Sequence, residues 1–245
     1  MEIGAQLYTV RDYCRTLPEF METLQKIADI GYKNVQVSGV CDYGPEWLRD
    51  ALLETGLKCV LTHIAPDRIA GDTQAVIAGH EVFGCDNIGI GYYEVHKDGV
   101  QAFYDKFAQA GSALNQSGKR LCYHNHDHEF IKLEGETVLR RLADVFAPEQ
   151  LCFTLDTYWV QAGGADPVWW IDFLKGRVPC VHLKDMEYGR KMAALGEGNI
   201  NLDGVIAACD RAKTEYMLVE QDDCYGRDPF DCLRTSYNFL KSRGF

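Results

Sequence analysis

No apolar run in the sequence approaches the length of a membrane-crossing helix. The stretch Met1-Glu2-Ile3-Gly4-Ala5-Gln6 lacks the basic region and apolar core of a signal peptide. Positive charge is scarce as well: 25 Lys and Arg stand against 36 Asp and Glu, for a net charge of −11. Such a balance repels nucleic-acid backbones and anionic membranes unless a local basic patch exists, and the densest positive pair, Arg140-Arg141, sits in a helical pattern. No C-x-x-C occurs among the ten cysteines, and Cys59, Cys122, Cys152 and Cys180 lie inside apolar runs, where cysteine serves as a small hydrophobe. A disulfide scaffold is therefore not expected, and a reducing cytoplasm is. Also missing are a serine nucleophile elbow, a P-loop and an H-E-x-x-H pair.

What is present is a repeated phrase of short apolar run and amphipathic segment. Ile3 to Tyr8 reads as a strand, followed by a Thr16-x-x-Glu19 capping box and a helix stopped by Gly31. Further strands are expected at Asn34–Ser38, Lys58–His63 and Asn87–Gly91, in the short apolar run that leads into the histidine stretch, and at Leu151–Asp156, Val178–Lys184 and Tyr216–Glu220, with helices between them. Eight such phrases in 245 residues give a period of about 30, the rhythm of a βα unit. This predicts an α/β protein, a single (β/α)8 TIM barrel with one parallel eight-stranded sheet over residues 1–245. An open doubly wound sheet is the rival, but it would carry a Gly-rich phosphate turn after the first strand, where this chain has Gln6-Leu7-Tyr8-Thr9-Val10-Arg11.

Three of the seven histidines fall within five residues, in Tyr123-His124-Asn125-His126-Asp127-His128-Glu129 at the end of the fifth expected strand. A histidine-rich turn can be solvated loop, yet imidazoles with a nearby carboxylate are also the usual ligands of a divalent metal. In a (β/α)8 barrel the active site lies where the strands end, so polar strand-end residues are the candidates. These are Gln6 and Tyr8, Gln36, His63, the trio His124, His126 and Glu129, then Asp156, His182 with Lys184 and Asp185, and Glu220. Singly, Asp156 reads as a loop cap, His182 as a core histidine and Glu220 as the partner of Lys184. Jointly, three strands end in metal-ligand chemistry and a fourth in a His cluster, and charge at such places is costly to bury unless paired or metal-bound. Trp159 is a candidate apolar wall for a sugar ring.

These motifs resemble a known family. Tyr123-His124-Asn125-His126-x-x-Glu129-Phe130, Leu155-Asp156-Thr157-Tyr158-Trp159, His182-Leu183-Lys184-Asp185, Gly196-Glu197-Gly198-Asn199-Ile200-Asn201 and Val219-Glu220-Gln221-Asp222 look like the xylose isomerase-like TIM barrels described as sugar phosphate isomerase/epimerase. The resemblance implies one divalent metal, manganese first, with magnesium, cobalt or zinc as alternatives. His124, Asp156, His182 and Glu220 match its ligand positions. Relatives with a Glu-Asn pair at the fifth strand use that Glu, so His124 is a departure that leaves Glu129 open as ligand or base. It also moves the resemblance towards the inosose dehydratase and keto-sugar branch.

The expected chemistry is removal of a proton from carbon next to a carbonyl, with a divalent ion stabilising the enediolate charge. Glu220 or Glu129 is the expected base, and His63, His126 or Lys184 donates to the reacting oxygen. Gln6, Tyr8, Gln36, Trp159 and Asp185 are expected to bind the sugar, an unphosphorylated one because no Arg cluster or anion loop is evident. Alternatives are an endonuclease IV-like abasic-site nuclease, disfavoured by the −11 charge, and a non-catalytic sugar-binding barrel. No nucleic-acid or membrane partner is expected, while a second copy of the chain or another protein could complete an open site.

Overall fold

A computed structural model describes residues Met1–Phe245. Eight parallel strands close into one barrel: Glu2–Gln6, Asn34–Val37, Lys58–His63, Asn87–Ile90, Arg120–His124, Cys152–Asp156, Cys180–Leu183 and Tyr216–Val219. Closure pairs the first strand with both the second and the eighth, Gly4 opposite Asn34 and Leu218. No helix is long and apolar enough to cross a membrane.

The helices form the outer layer for local reasons. Leu17–Ile30 begins where the Thr16 hydroxyl accepts the Glu19 N–H at 3.4 Å, buries Phe20, Leu24 and Ile27, and stops at Gly31 with φ +121°. Asp166 and Asp228 cap the helices Pro167–Phe173 and Pro229–Lys241 in the same manner, each followed by a proline in the first turn. Buried side chains from strands and helices merge into one core of 55 residues between the two layers.

Several loop elements above the strand ends carry no clear periodic signal. They are the short helices Pro66–Gly71, Val95–Asp98 and Thr157–Ala162, and a hairpin of Asp185–Glu187 with Lys191–Ala193. The first strand also ends earlier than expected, at Gln6, because Leu7–Tyr13 winds into a 3-10 helix started by the Gln6 side chain accepting the Tyr8 N–H at 3.2 Å.

Candidate active site

Register sets the site. Asp156 and His182 are paired neighbours on adjacent strands, and Leu218 opposite His182 puts Glu220 one step beyond the eighth strand. With His124 they form a buried group of four whose ligand atoms all lie within 4.8 Å of one another. Asp156 Oδ2 lies 3.2 Å from His124 Nε2 and 3.6 Å from His182 Nδ1, and Glu220 Oε2 lies 2.9 Å from His182 Nδ1. No aligned hydrogen bond joins those two atoms, so His182 Nδ1 is buried without a hydrogen-bond partner, while Glu220 Oε2 is met by the Lys184 ammonium at 2.9 Å. A buried imidazole nitrogen left without a hydrogen bond beside two carboxylates suits a ligand shared among them.

The far side of each imidazole is held. His124 Nδ1 donates to the Gly91 carbonyl at 3.0 Å, and His182 Nε2 donates to Gln36 Oε1 at 2.6 Å. These contacts put a proton on Nδ1 of His124 and on Nε2 of His182 and turn the other nitrogen of each ring towards the carboxylates, the usual outer support of metal-ligating histidines. Asp156 divides its oxygens: Oδ1 accepts the Trp159 N–H at 2.9 Å and caps the helix Thr157–Ala162, which leaves Oδ2 for the cluster. Asn125 Oδ1 takes the Asp156 N–H at 3.0 Å and stitches the fifth strand end to the sixth.

Lys184, fully buried, extends its Nζ to Glu220 Oε2 at 2.9 Å, Asp156 Oδ2 at 3.1 Å and Asp222 Oδ1 at 2.8 Å. Burial opposes charge on Glu220 and Asp156, but Lys184 and the histidines outweigh it and hold both carboxyls well below the usual range. Burial likewise opposes charge on His182, yet Glu220 and Asp156 push it up to about 9. Burial and the Glu220 charge push Asp222 up to about 7. Three carboxylates against one ammonium leave a buried surplus of two negative charges with all three ionised. One divalent cation, or protons taken up in its place, balances that surplus. The donor set of two imidazoles and two carboxylates therefore fits a borderline divalent metal.

The cluster floors a cavity of about 550 Å³ whose wall includes Tyr8, His63, His126, Trp159, Lys184 and Asp222. His63 Nδ1 meets Ser38 Oγ at 3.1 Å, while His63 Nε2 and His126 Nδ1 are buried and unpartnered. Burial holds His63 neutral well below its usual range, and burial with the neighbouring His124 pushes His126 down to about 2. A Cβ at Gly89 or Gly91 would lie 2.7 or 2.6 Å from the His63 ring, so these glycines make room for it.

Six sequence candidates stand outside this wall: Asp156 and His182, buried in the cluster beneath it, and Gln36, Gln6, Glu129 and Asp185. Gln36 is the brace of His182 described above. Gln6 is buried against the Tyr8 backbone. Glu129, fully buried, accepts from the Tyr123 hydroxyl, the His126 N–H at 2.7 Å and His128 at 2.9 Å; it belongs to a separate group with His126 and His128. Asp185 spends both oxygens on the backbone N–H groups of Met186, Gly196, Gly198 and Ile200 and so shapes the loop Gly196–Ile200. Conversely, Ser38, Gly91, Tyr92 and Asp222 line the cavity without having been singled out. Asp222 had a usable signal, two residues past Glu220, whereas Ser38 and Gly91 carry none.

A family model described as xylose isomerase-like TIM barrel matches residues 24–243. A sugar phosphate isomerase/epimerase from Parabacteroides distasonis superposes with a TM-score of 0.84 at 18% identity, covering 99% of this chain and 94% of that one. An L-ribulose 3-epimerase gives 0.74 at 15%, over 98% and 93% of the two chains. A protein described as IOLI, solved with a bound zinc atom, gives 0.74 at 12%, over 99% and 97%. At these identities the likeness is one of fold. No curated protein sequence matches the chain.

Proposed function

The chain belongs to the xylose isomerase-like TIM barrel family, and from that premise we propose that it is a divalent-metal-dependent enzyme that isomerises, epimerises or dehydrates a ketose or keto-sugar by moving a proton on the carbon next to a carbonyl. One observation carries the reading: His124, Asp156, His182 and Glu220 converge, buried and incompletely partnered, beneath a cavity large enough for a sugar. His124, Asp156, His182 and Glu220 would hold a divalent ion, manganese in the first instance, which would supply Lewis acidity towards a carbonyl oxygen.

The chain's own groups do the rest. The Glu220 carboxylate, which reaches the cavity wall, takes the proton from carbon, and Lys184 Nζ keeps it anionic until then. His63 Nε2 and His126 Nδ1, free and neutral, hydrogen-bond substrate oxygens. Trp159 and Tyr8 supply flat apolar wall for the ring. Glu129 and Asp185 act at a distance from the substrate: one fixes the turn that carries His126, the other the Gly196–Ile200 loop.

Elemental analysis of the purified protein should find about one divalent ion per chain. Ketoses, inososes and 3-keto glycosides incubated with the manganese-loaded protein in deuterated water should include one that gains deuterium beside its carbonyl. A protein that binds no divalent ion, or exchanges no proton on any of them, would remove the proposal.

A further inference from the structure

A second set of metal-ligating side chains stands behind the His126 wall of the cavity. One ligand atom each from His126, His128 and Glu129 lies within 4.8 Å of the others. The backbone brings them together. After the fifth strand the chain winds into the 3-10 helix His128–Phe130, and Glu129 Oε2 takes the His126 N–H, which folds the turn back on itself. The His126 and His128 rings then stack, with centroids 5.5 Å apart and planes 8° from parallel. The short helix Val95–Asp98 adds His96, whose ring centroid lies 5.1 Å from that of His128.

Folding alone leaves this group poorly satisfied. Glu129 is fully buried and meets no lysine or arginine: its oxygens take the Tyr123 hydroxyl, the His126 N–H at 2.7 Å and His128 Nε2 at 2.9 Å. Carboxylate charge in such a place needs a cation. Beside it, His126 Nδ1 and His96 Nδ1 are buried without a partner. A divalent ion in place of the proton between His128 and Glu129 satisfies carboxylate and imidazoles together, and this mixture of donors suits a borderline ion such as zinc. Imidazole has two nitrogens, so His126 bound to an ion through one keeps the other for a substrate oxygen.

We propose that His126, His128 and Glu129, with His96 as fourth ligand, form a second divalent-cation site that takes zinc, distinct from the cluster of His124, Asp156, His182 and Glu220. An ion there ties the loop after the fourth strand to the loop after the fifth and fixes the His126 ring in the cavity wall. It is the weaker of the two sites, having one carboxylate against two and three histidines partly open to solvent. It therefore empties on dialysis and leaves the first site's single ion per chain.

The test is calorimetric titration with zinc of protein that has been loaded with zinc and dialysed. One further ion per chain should bind. His128→Phe, which keeps a stacked ring but no ligand, should weaken that event by at least about a hundredfold, beyond the loss expected for an outer-shell partner. His128→Gln is the second variant should the first fail to melt cooperatively. The absence of a further ion, or its equally tight binding to a folded His128 variant, overturns the inference. His182→Ala separates the two sites. Zinc binding that survives in His182→Ala and is lost in His128→Phe belongs to the second site, even if no substrate exchanges a proton. Zinc binding lost in His182→Ala and kept in His128→Phe leaves the first site alone and removes the second.

Discussion

The two ends of the barrel are built from the same strands and differ in kind. Inward positions alternate along each strand, so Cys122 shares a column with His124, Cys152 with Asp156, Cys180 with His182, and Leu218 with Glu220. At the N-terminal end Val60, Leu61, Cys122, Cys152, Cys180, Tyr216 and Leu218 make a buried apolar plug. The charges around it are paired, Arg120 with Glu215 at 2.9 Å and Lys58 with the Tyr216 hydroxyl at 3.0 Å. A step or two higher the columns turn into imidazoles and carboxylates. Buried atoms without a hydrogen bond gather there, on Gln6, Gln36, His63, His126, Trp159, His182 and Gln221, against Asn87, Thr154 and Thr214 below. Folding alone gives no reason to bury orphaned polar atoms, so the difference marks the end where a ligand belongs.

The sharpest way to break this contrast is at His182. His182→Ala should eliminate stoichiometric metal on elemental analysis and lower proton exchange by at least about a thousandfold, the scale of a lost transition-state charge stabiliser. Full metal retention would mean that the upper end is only an ion-pair network. Next in size is Lys184. Replacing it with Met leaves Asp156, Glu220 and Asp222 without their ammonium, so the metal-free protein should lose about 3–5 kcal/mol, as when one member of a buried pair is removed. Manganese should restore much of that loss, visible as a larger metal-induced rise in Tm than in the wild type. An equal rise in both proteins would contradict the charge balance drawn for the cluster.

Much of this was legible in the residues. Asp156, His182 and Glu220 were visible because each closes an apolar run, where a charged group has to be explained, and His124 because of its neighbours. The roles of Gln36, Glu129 and Asp185 were not, because a polar strand-end residue looks the same whether it faces substrate or braces a ligand. That choice depends on which backbone N–H or imidazole folds against it, as in the four amides gathered by Asp185. The short helix Thr157–Ala162 escaped for a related reason: its cap is Asp156 itself, whose other oxygen serves the cluster.

A third test uses a buried histidine with nothing orphaned. His80 donates from Nδ1 to the Val76 carbonyl at 2.7 Å and accepts at Nε2 from the Thr62 hydroxyl at 2.7 Å; burial pushes its pKa down to about 4. The folded state keeps it neutral, while the unfolded chain takes a proton near pH 6.5. Its contribution is therefore complete above that pH and is lost as the pH falls towards 4. Between pH 7 and pH 5 this comes to about 2 kcal/mol by linkage. Urea midpoints should fall over that interval by that much less in His80→Gln than in the wild type. Equal pH dependence in the two would show that His80 is not held neutral, and partnering would no longer separate structural from functional histidines.

The smallest effect belongs to the plug. Cys180 sits one inward step below His182 and is fully buried, so Cys180→Ala removes one sulfur from a packed layer and should cost about 1 kcal/mol. Metal content and exchange rate should stay at wild-type values, because the lower layer touches the upper through packing alone. If so small a cavity two residues below the ligands changed metal affinity tenfold, the two ends would form one cooperative unit. The apolar floor would then help set ligand geometry, and the division drawn between a structural and a functional end would not hold.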